Sequence, residues 1–349
     1  VLRKSLREFV DREVLPMAPG YEQSRAFPRA LFSQLGEMGC LDMNFYNRRP
    51  DACHEGIDSV IILEELARGL PSIALSISPH VQCMNLIALE GAASLKERIV
   101  PPALRGELLL AFAITEASGG ITSAGAADGY VVSAKSAVSG RYRDVSLFYV
   151  EAGTPGLDTS FREELIGTRN SPTGSIRMNN CKVPLDCLIG HENSAYGQMK
   201  VLLNEGRLDM AALGVGIAQG AMENTVYHTS KSGHFGRTLS TYQGVSFQVA
   251  RMYEKIFVAR NSLYAVAEMF RNQQRATMEV AALKLYASEM CLEVCRAAVQ
   301  LHGAKGLSQY SDVDRYFRDA QMLTIGEGSS EVCQIVISGK LYHTDLTEY

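Results

Sequence analysis

Arg318-Asp319-Ala320-Gln321-Met322-Leu323-Thr324-Ile325-Gly326-Glu327-Gly328-Ser329-Ser330-Glu331 is the stretch around which the rest of the chain is read. Glu327 stands between two glycines, after an apolar run and before a second helical run carrying Val332, Ile335 and Val336. Gly326 and Gly328 permit a sharp turn with bare backbone. Ser329 or Ser330 can cap the helix that follows, and Glu331 suits its first turn. A carboxylate held there is a proton acceptor beside the anion-binding N–H groups of a helix N-terminus. Taken alone, these residues fit a solvated turn glutamate as well as a catalytic base.

Upstream of this turn lie two long stripes. Val249, Met252, Ile256, Ala259, Leu263, Val266 and Phe270 recur at three- and four-residue steps, and so do Val280, Leu283, Ala287, Met290, Val294, Ala297 and Leu301. They predict antiparallel helices of a bundle. A largely apolar helix is expected over 197–224, where Gly214, Gly216 and Gly220 allow close packing. Further upstream the pattern becomes β-like. Leu109 to Thr115, Tyr130 to Val138, Ser146 to Ala152 and Ser175 to Val183 are expected strands, separated by turn signals such as Asp128-Gly129. Residues 1–108 read as helical again. Leu2, Leu6 and Phe9 form a stripe that Pro16 and Pro19-Gly20 are expected to end, and a run over 73–89 carries a kink or break at Pro79. His80 in that run reads as a core or pocket-wall histidine. The fold class is therefore α+β in three parts: an N-terminal α domain (1–108), a middle β domain (109–193) and a C-terminal bundle (194–349).

Composition bounds the function. A chain of 349 residues, 46% hydrophobic and 21% charged, has the make-up of an ordinary globular protein with two or three packed units. A net charge of -4 gives no support to nucleic-acid or membrane-surface binding. The eight cysteines form no Cys-x-x-Cys pair, and Cys291 and Cys295 lack accompanying histidines or acids, so scattered thiols in a reducing compartment are expected rather than a metal site. No apolar run of membrane length is apparent, and the chain reads as soluble and cytoplasmic.

Three further segments join the first. Ala113-Ile114-Thr115-Glu116-Ala117-Ser118-Gly119-Gly120 is one, Phe235-Gly236-Arg237 followed by Gln243 another, and Gln300-Leu301-His302-Gly303-Ala304-Lys305-Gly306 the last. With the Glu327 stretch, their identity and order resemble the acyl-CoA dehydrogenase family. The resemblance implies an FAD-dependent enzyme that removes the α-proton of an acyl thioester and passes the β-hydride to flavin. It implies Glu327 as the base, with Arg207 and Gly328 beside the thioester. It implies FAD contacts from Thr115 and Ser139 near the flavin ring, Phe235 and Gln243 reaching the FAD of a neighbouring subunit, Gln300 and Gly303 near the adenosine diphosphate, and Ser329 and Glu331 near the pyrophosphate. An acyl-CoA or acyl-carrier-protein substrate, an electron-transfer partner and a homodimer or dimer of dimers follow from the same resemblance. Glu205 is a rival base, since some branches carry theirs on this helix; it lies one position before the expected site, which Gly206 occupies.

The resemblance has gaps. No tryptophan is present to cover the flavin, Ser232 stands where an arginine to the pyrophosphate is expected, Ala304 replaces a glycine, and little remains between Ser139 and Val145. Weakened FAD binding is the expected consequence. Oxidase or monooxygenase chemistry on the same fold, and a flavin-poor non-catalytic homologue, are the alternatives.

Overall fold

Helix periodicity dominates both ends of the chain, and the computed structural model, which describes residues 1–44, 49, 51–114, 121–135 and 144–343, is helical there. The first part comprises α1 (Leu2–Phe9), a π-helical turn (Val10–Val14), α2 (Ala18–Ser24), α3 (Arg29–Glu37), α4 (Ile57–Gly69), α5 (Pro71–Glu90) and α6 (Ala93–Leu104). Leu6 and Phe9 of the expected stripe are buried. One proline reading is corrected, and at Pro79 only the alternative of a break is excluded. Pro19 lies in the first turn of α2, where its missing N–H costs nothing, rather than at a helix end. Pro79 sits inside α5, which runs through it as one helix. That helix also corrects the expectation about apolar length: by composition α5 could cross a membrane, yet 78% of its apolar window is buried inside the fold, as in a core helix.

The middle part is built on one sheet of β1 (Leu110–Ala113), β2 (Gly129–Lys135), β3 (Val145–Glu151) and β4 (Leu188–Ile189), in spatial order β4-β3-β2-β1. β1 runs parallel to β2; the other neighbours are antiparallel, with Val131 opposite Tyr149. The strand expected over 175–183 shrinks to Arg177–Met178, paired with Leu157–Asp158. Its Ile176, Cys181 and Val183 pack against the core, but Arg177 to Asn180 are exposed.

His80 joins the helical and β parts. It is fully buried; its Nδ1 accepts the Leu110 N–H at 3.1 Å and its Nε2 lies 3.2 Å from the Ala103 carbonyl. Both ring nitrogens are thus satisfied, and burial drives the imidazole down to about 3, so it stays neutral.

The last part holds α7 (Ala195–Lys231), α8 (Gln243–Arg271), α9 (Thr277–His302), α10 (Asp312–Ala320) and α11 (Ser330–Leu341). α7, α8 and α9 pack together through the two stripes, and α10 and α11 pack on α9. The glycines of α7 admit α4: a Cβ on Gly216 would lie 2.1 Å from the Glu64 carbonyl oxygen, and one on Gly220 2.7 Å from that of Arg68. Buried Glu64 binds Arg3 and Arg260, each at 2.8 Å, and Glu65 binds Arg68 at 2.9 Å, tying α1, α4 and α8. Removing one partner would strand a buried charge.

Candidate active site

Arg318 and Asp319, which open the motif, dock the β part onto the bundle. Asp319 Oδ1 accepts the Thr168 N–H at 2.5 Å, and the Arg318 Nη1 donates to the Ile166 carbonyl at 3.0 Å and to Glu22 at 2.6 Å. Gly167 is pressed against them: a Cβ there would meet the Arg318 carbonyl oxygen at 2.2 Å. Burial raises the Asp319 carboxyl to about 6. This contact closes one side of a cavity of about 580 Å³, with Gly167 and Thr168 on the β side, Leu203 and Met210 of α7 and Leu75 of α5 around it, and Glu327 in the wall.

The turn that presents Glu327 is held from three sides. Glu327 itself has φ 55° and Gly328 φ 97°. A left-handed conformation is costly for a residue with a Cβ, and such outliers concentrate at functional sites. Gly326 has no positive φ; a Cβ there would instead crowd the Met322 sulfur at 3.0 Å. Lys284, fully buried on α9, donates from Nζ to the Gly328 carbonyl at 2.6 Å. Ser329 caps α11 by accepting the Val332 N–H at 3.4 Å, and Glu331 stands in the first turn. On the third side α7 comes so close that a Cβ on Gly206 would lie 2.3 Å from Glu327 Oε2. The carboxyl therefore occupies the space that a side chain at 206 would fill. Glu205 is buried on the same helix, but its neighbour Gly206 is the residue under the carboxyl.

Enclosure raises the Glu327 carboxyl from 4.5 to about 7, while Arg207 and Lys284 pull it part of the way back. Such a group is ionised for a useful fraction of the time at neutral pH and is basic enough to take a proton. Arg207 is buried beside the turn; its Nη1 donates to Asn204 Oδ1 at 2.8 Å, and its Nε has no partner among the described residues. Arg207 also lines a second cavity of about 750 Å³, whose wall includes Lys200, Asn204, Lys340 and Val332. The two cavities share Leu203.

The other sequence-derived positions lie elsewhere. Phe235 is 98% exposed on the tip of a hairpin formed by Gly233–His234 and Arg237–Thr238, and Gln243 starts α8. Gln300 and Gly303 are exposed where α9 ends. Stacking of His228 on His302, with centroids 4.2 Å apart, brings these two groups to one end of the bundle. Ser232 Oγ lies 3.2 Å from His228 Nδ1. Arg207 and His228 are about 30 Å apart along α7, so this end and Glu327 form separate places in one chain. Thr115 and Ser139 lie outside the described residues. Lys284 was missed by sequence reading; its only signal is a lysine beside Leu283 in an otherwise apolar stripe. Among the described residues no cluster of histidine, cysteine or acidic side chains could hold a metal.

Comparison with known proteins agrees with this arrangement. Residues 1–107 match the family profile of the acyl-CoA dehydrogenase N-terminal domain, and residues 196–341 that of the acyl-CoA dehydrogenase C-terminal domain. The caffeyl-CoA reductase-Etf complex subunit CarC of Acetobacterium woodii is 30% identical, with 98% of this chain and 97% of that protein covered. That alignment runs over 369 positions against 349 residues, so the relative has stretches this chain lacks. The short-chain specific acyl-CoA dehydrogenase of Clostridium acetobutylicum is 28% identical over 98% of this chain and 97% of its own. Butyryl-CoA dehydrogenase from Megasphaera elsdenii superposes with a TM-score of 0.91 at 27% identity, covering 98% of this chain and 97% of that one. With its helical, β and helical parts in the same order, this chain belongs to the acyl-CoA dehydrogenase family of FAD-dependent oxidoreductases acting on acyl thioesters.

Proposed function

We propose that this chain oxidises the Cα–Cβ bond of an acyl-CoA with Glu327 as the base for the α-proton. The observation that carries the reading is a carboxyl raised to about 7 in the wall of a cavity, on a turn that Lys284 and α7 hold in place. Both are what a proton-abstracting group needs: a suitable basicity and a fixed position. The acyl chain extends into the 580 Å³ cavity between α5 and α7, within the usual size range of ligand pockets. The second cavity offers Lys200, Arg207 and Lys340, a cationic surround suited to the phosphates of coenzyme A. In this reading the backbone N–H of Glu327 polarises the thioester carbonyl, which sharpens the acidity of the α-proton. A filled cavity excludes the remaining water around Glu327 and raises its basicity further.

FAD, when bound, supplies the acceptor for the β-hydride, which no side chain can provide. The β side of the cavity fits such a group, because Thr122, Thr168 and Thr173 line it together with the apolar Phe112 and Ile114 in the same cavity as Glu327. Thr115, Ser139, Ser329 and Glu331 complete this hold in our reading. Phe235, Gln243, Gln300 and Gly303, exposed about 30 Å away, would hold the FAD of a neighbouring subunit, which makes the functional unit a homodimer or a dimer of dimers. An electron-transferring flavoprotein would accept the electrons, a proposal supported by the relative named as a subunit of an Etf complex.

The test is anaerobic bleaching of the flavin by short-chain acyl-CoA. Glu327→Gln is expected to lower the rate about 10²- to 10⁴-fold while flavin stays bound. Bleaching at the parent rate would remove Glu327 from the role and turn attention to Glu205.

A further inference from the structure

The cavity beside Glu327 has a polar corner that dehydrogenation does not use. Asp209 lies on α7 one turn beyond Gly206 and is fully buried. Its Oδ2 accepts from Ser78 Oγ at 2.5 Å and from Gln82 Nε2 at 3.0 Å, and Gln82 Nε2 also donates to Ser78 Oγ at 3.2 Å. Its Oδ1 has no partner among the described residues. Ser78 and Gln82 line the same cavity as Glu327, among the apolar side chains of Leu75, Pro79, Phe112 and Met210. A wall that served only a hydrocarbon chain would be apolar here, because a buried carboxyl oxygen without a donor is expensive. Burial, with the nearby charges of Glu205 and Glu327, pushes the Asp209 carboxyl well above its usual range.

The network consumes its own donors. The Ser78 hydroxyl hydrogen goes to Asp209, and the two amide hydrogens of Gln82 go to Ser78 and Asp209. What faces the cavity is acceptor capacity, Gln82 Oε1 and a lone pair of Ser78 Oγ; Asp209, fully buried behind them, is not itself part of the cavity lining. We infer that the acyl group this chain takes carries a hydrogen-bond donor, a hydroxyl or an amine, seated against Ser78 and Gln82 in front of Asp209. Gly206 touches the Glu327 carboxyl and Asp209 is three residues on, a rise of about 4.5 Å. The donor therefore sits roughly four to five bonds beyond the carbon that faces Glu327, within reach of an ω-substituent on a six-carbon acyl chain. A hydroxyl or an ammonium can donate to the Ser78 and Gln82 oxygens, and an ionised Asp209 behind them would favour the ammonium. The inference deepens the acyl-thioester reading and rests on it for the direction of the chain.

Calorimetry on the FAD-loaded Glu327→Gln protein tests it, with hexanoyl-CoA, ω-hydroxyhexanoyl-CoA and ω-aminohexanoyl-CoA as probes. At least one donor-bearing ester is expected to bind about tenfold or more tightly than hexanoyl-CoA, and the tighter of the two identifies hydroxyl or amine. Gln82→Leu and Ser78→Ala, each introduced separately, are expected to shrink that ratio to within about threefold, since each leaves fewer acceptors. Circular dichroism and hexanoyl-CoA binding show whether the variants fold. Equal or tighter binding of hexanoyl-CoA, or a ratio that survives both substitutions, overturns the inference: the corner then holds water. The same esters are offered to the wild-type holoenzyme for flavin bleaching. Bleaching without donor preference leaves the dehydrogenation reading standing and removes this one. Donor preference without any bleaching does the reverse.

Discussion

At the Glu327 end of α7 the working groups are enclosed; at the His228 end the corresponding groups stand in the open. Lys284 and Arg207 are buried around the Glu327 turn, and a single methyl on Gly206 would collide with the carboxyl. At the other end Phe235 is 98% exposed and Gln300 and Gly303 face solvent. At the enclosed end the raised Glu327 carboxyl owes its shift to burial and to Arg207 and Lys284 of the same chain. The open end is a surface that acquires a role when something is laid on it. Substitutions at the first should change chemistry and pH behaviour. Those at the second should change cofactor retention and leave the monomer alone.

The largest effect is expected at Glu327. Beyond the loss of bleaching, Glu327→Gln should stabilise the apoprotein at high pH. The carboxyl is raised in the folded state, so its favourable contribution is complete below about pH 4.5 and is lost as pH rises through about 7. The amide mimics the protonated acid. At pH 8 the variant should gain up to about 3 kcal/mol over the parent and at pH 5 much less, measured by denaturant titration at both pH values. A gain independent of pH would show that Glu327 is not held at raised basicity.

Gly206→Ala comes next. Its methyl drives the Glu327 carboxyl from its place, and displacement of about 1 Å commonly costs on the order of 10² in rate. Flavin content should be unchanged. If the variant bleaches at the parent rate, the turn is softer than its packing implies. At the open end Ser232→Arg restores a cation beside the expected pyrophosphate. A charge-assisted hydrogen bond contributes about 1.5–3 kcal/mol, so FAD should bind about ten- to a hundredfold more tightly, read by flavin retention on dialysis. An unchanged affinity would break the assignment of this end to FAD.

Lys284→Met should have a smaller effect on rate at neutral pH but a diagnostic one on its profile. The lysine lowers the Glu327 carboxyl, so its loss should move the rise of the pH–rate curve to higher pH. The Gly328 carbonyl loses its donor, at a cost of about 1–3 kcal/mol. Phe235→Ala closes the series: monomer stability should change by less than about 0.5 kcal/mol, as for other exposed sites, while flavin retention falls. A large loss of thermal stability in dilute apoprotein would show that the hairpin is part of the monomer core.

The comparison also separates what was legible in sequence from what was not. The helical stripes of α8 and α9 bury the expected residues, Met252, Ile256 and Phe270 on one and Val280, Ala287 and Val294 on the other. Those stripes are read from spacing along one helix, which is local information. The same locality placed Glu327 on a turn with Ser329 or Ser330 as cap, and Ser329 is the one that caps α11. Pro19 was misread because a proline's effect depends on its position in the turn, and at a helix's first turn its missing N–H costs nothing.

What the sequence by itself determined is the order of helical and β parts, the glycines that let α4 abut α7, and a carboxylate between two glycines at a helix start. Spacing and backbone freedom act between near neighbours in the chain. Tertiary structure alone decided that Gly206 rather than Glu205 lies under Glu327, that Lys284, forty-four residues before Gly328, holds that turn, and that Asp209 of α7 meets Ser78 and Gln82 of α5. The basicity of Glu327 belongs with these. It depends on water excluded and charges brought near in three dimensions, and no pattern along the chain carries either quantity.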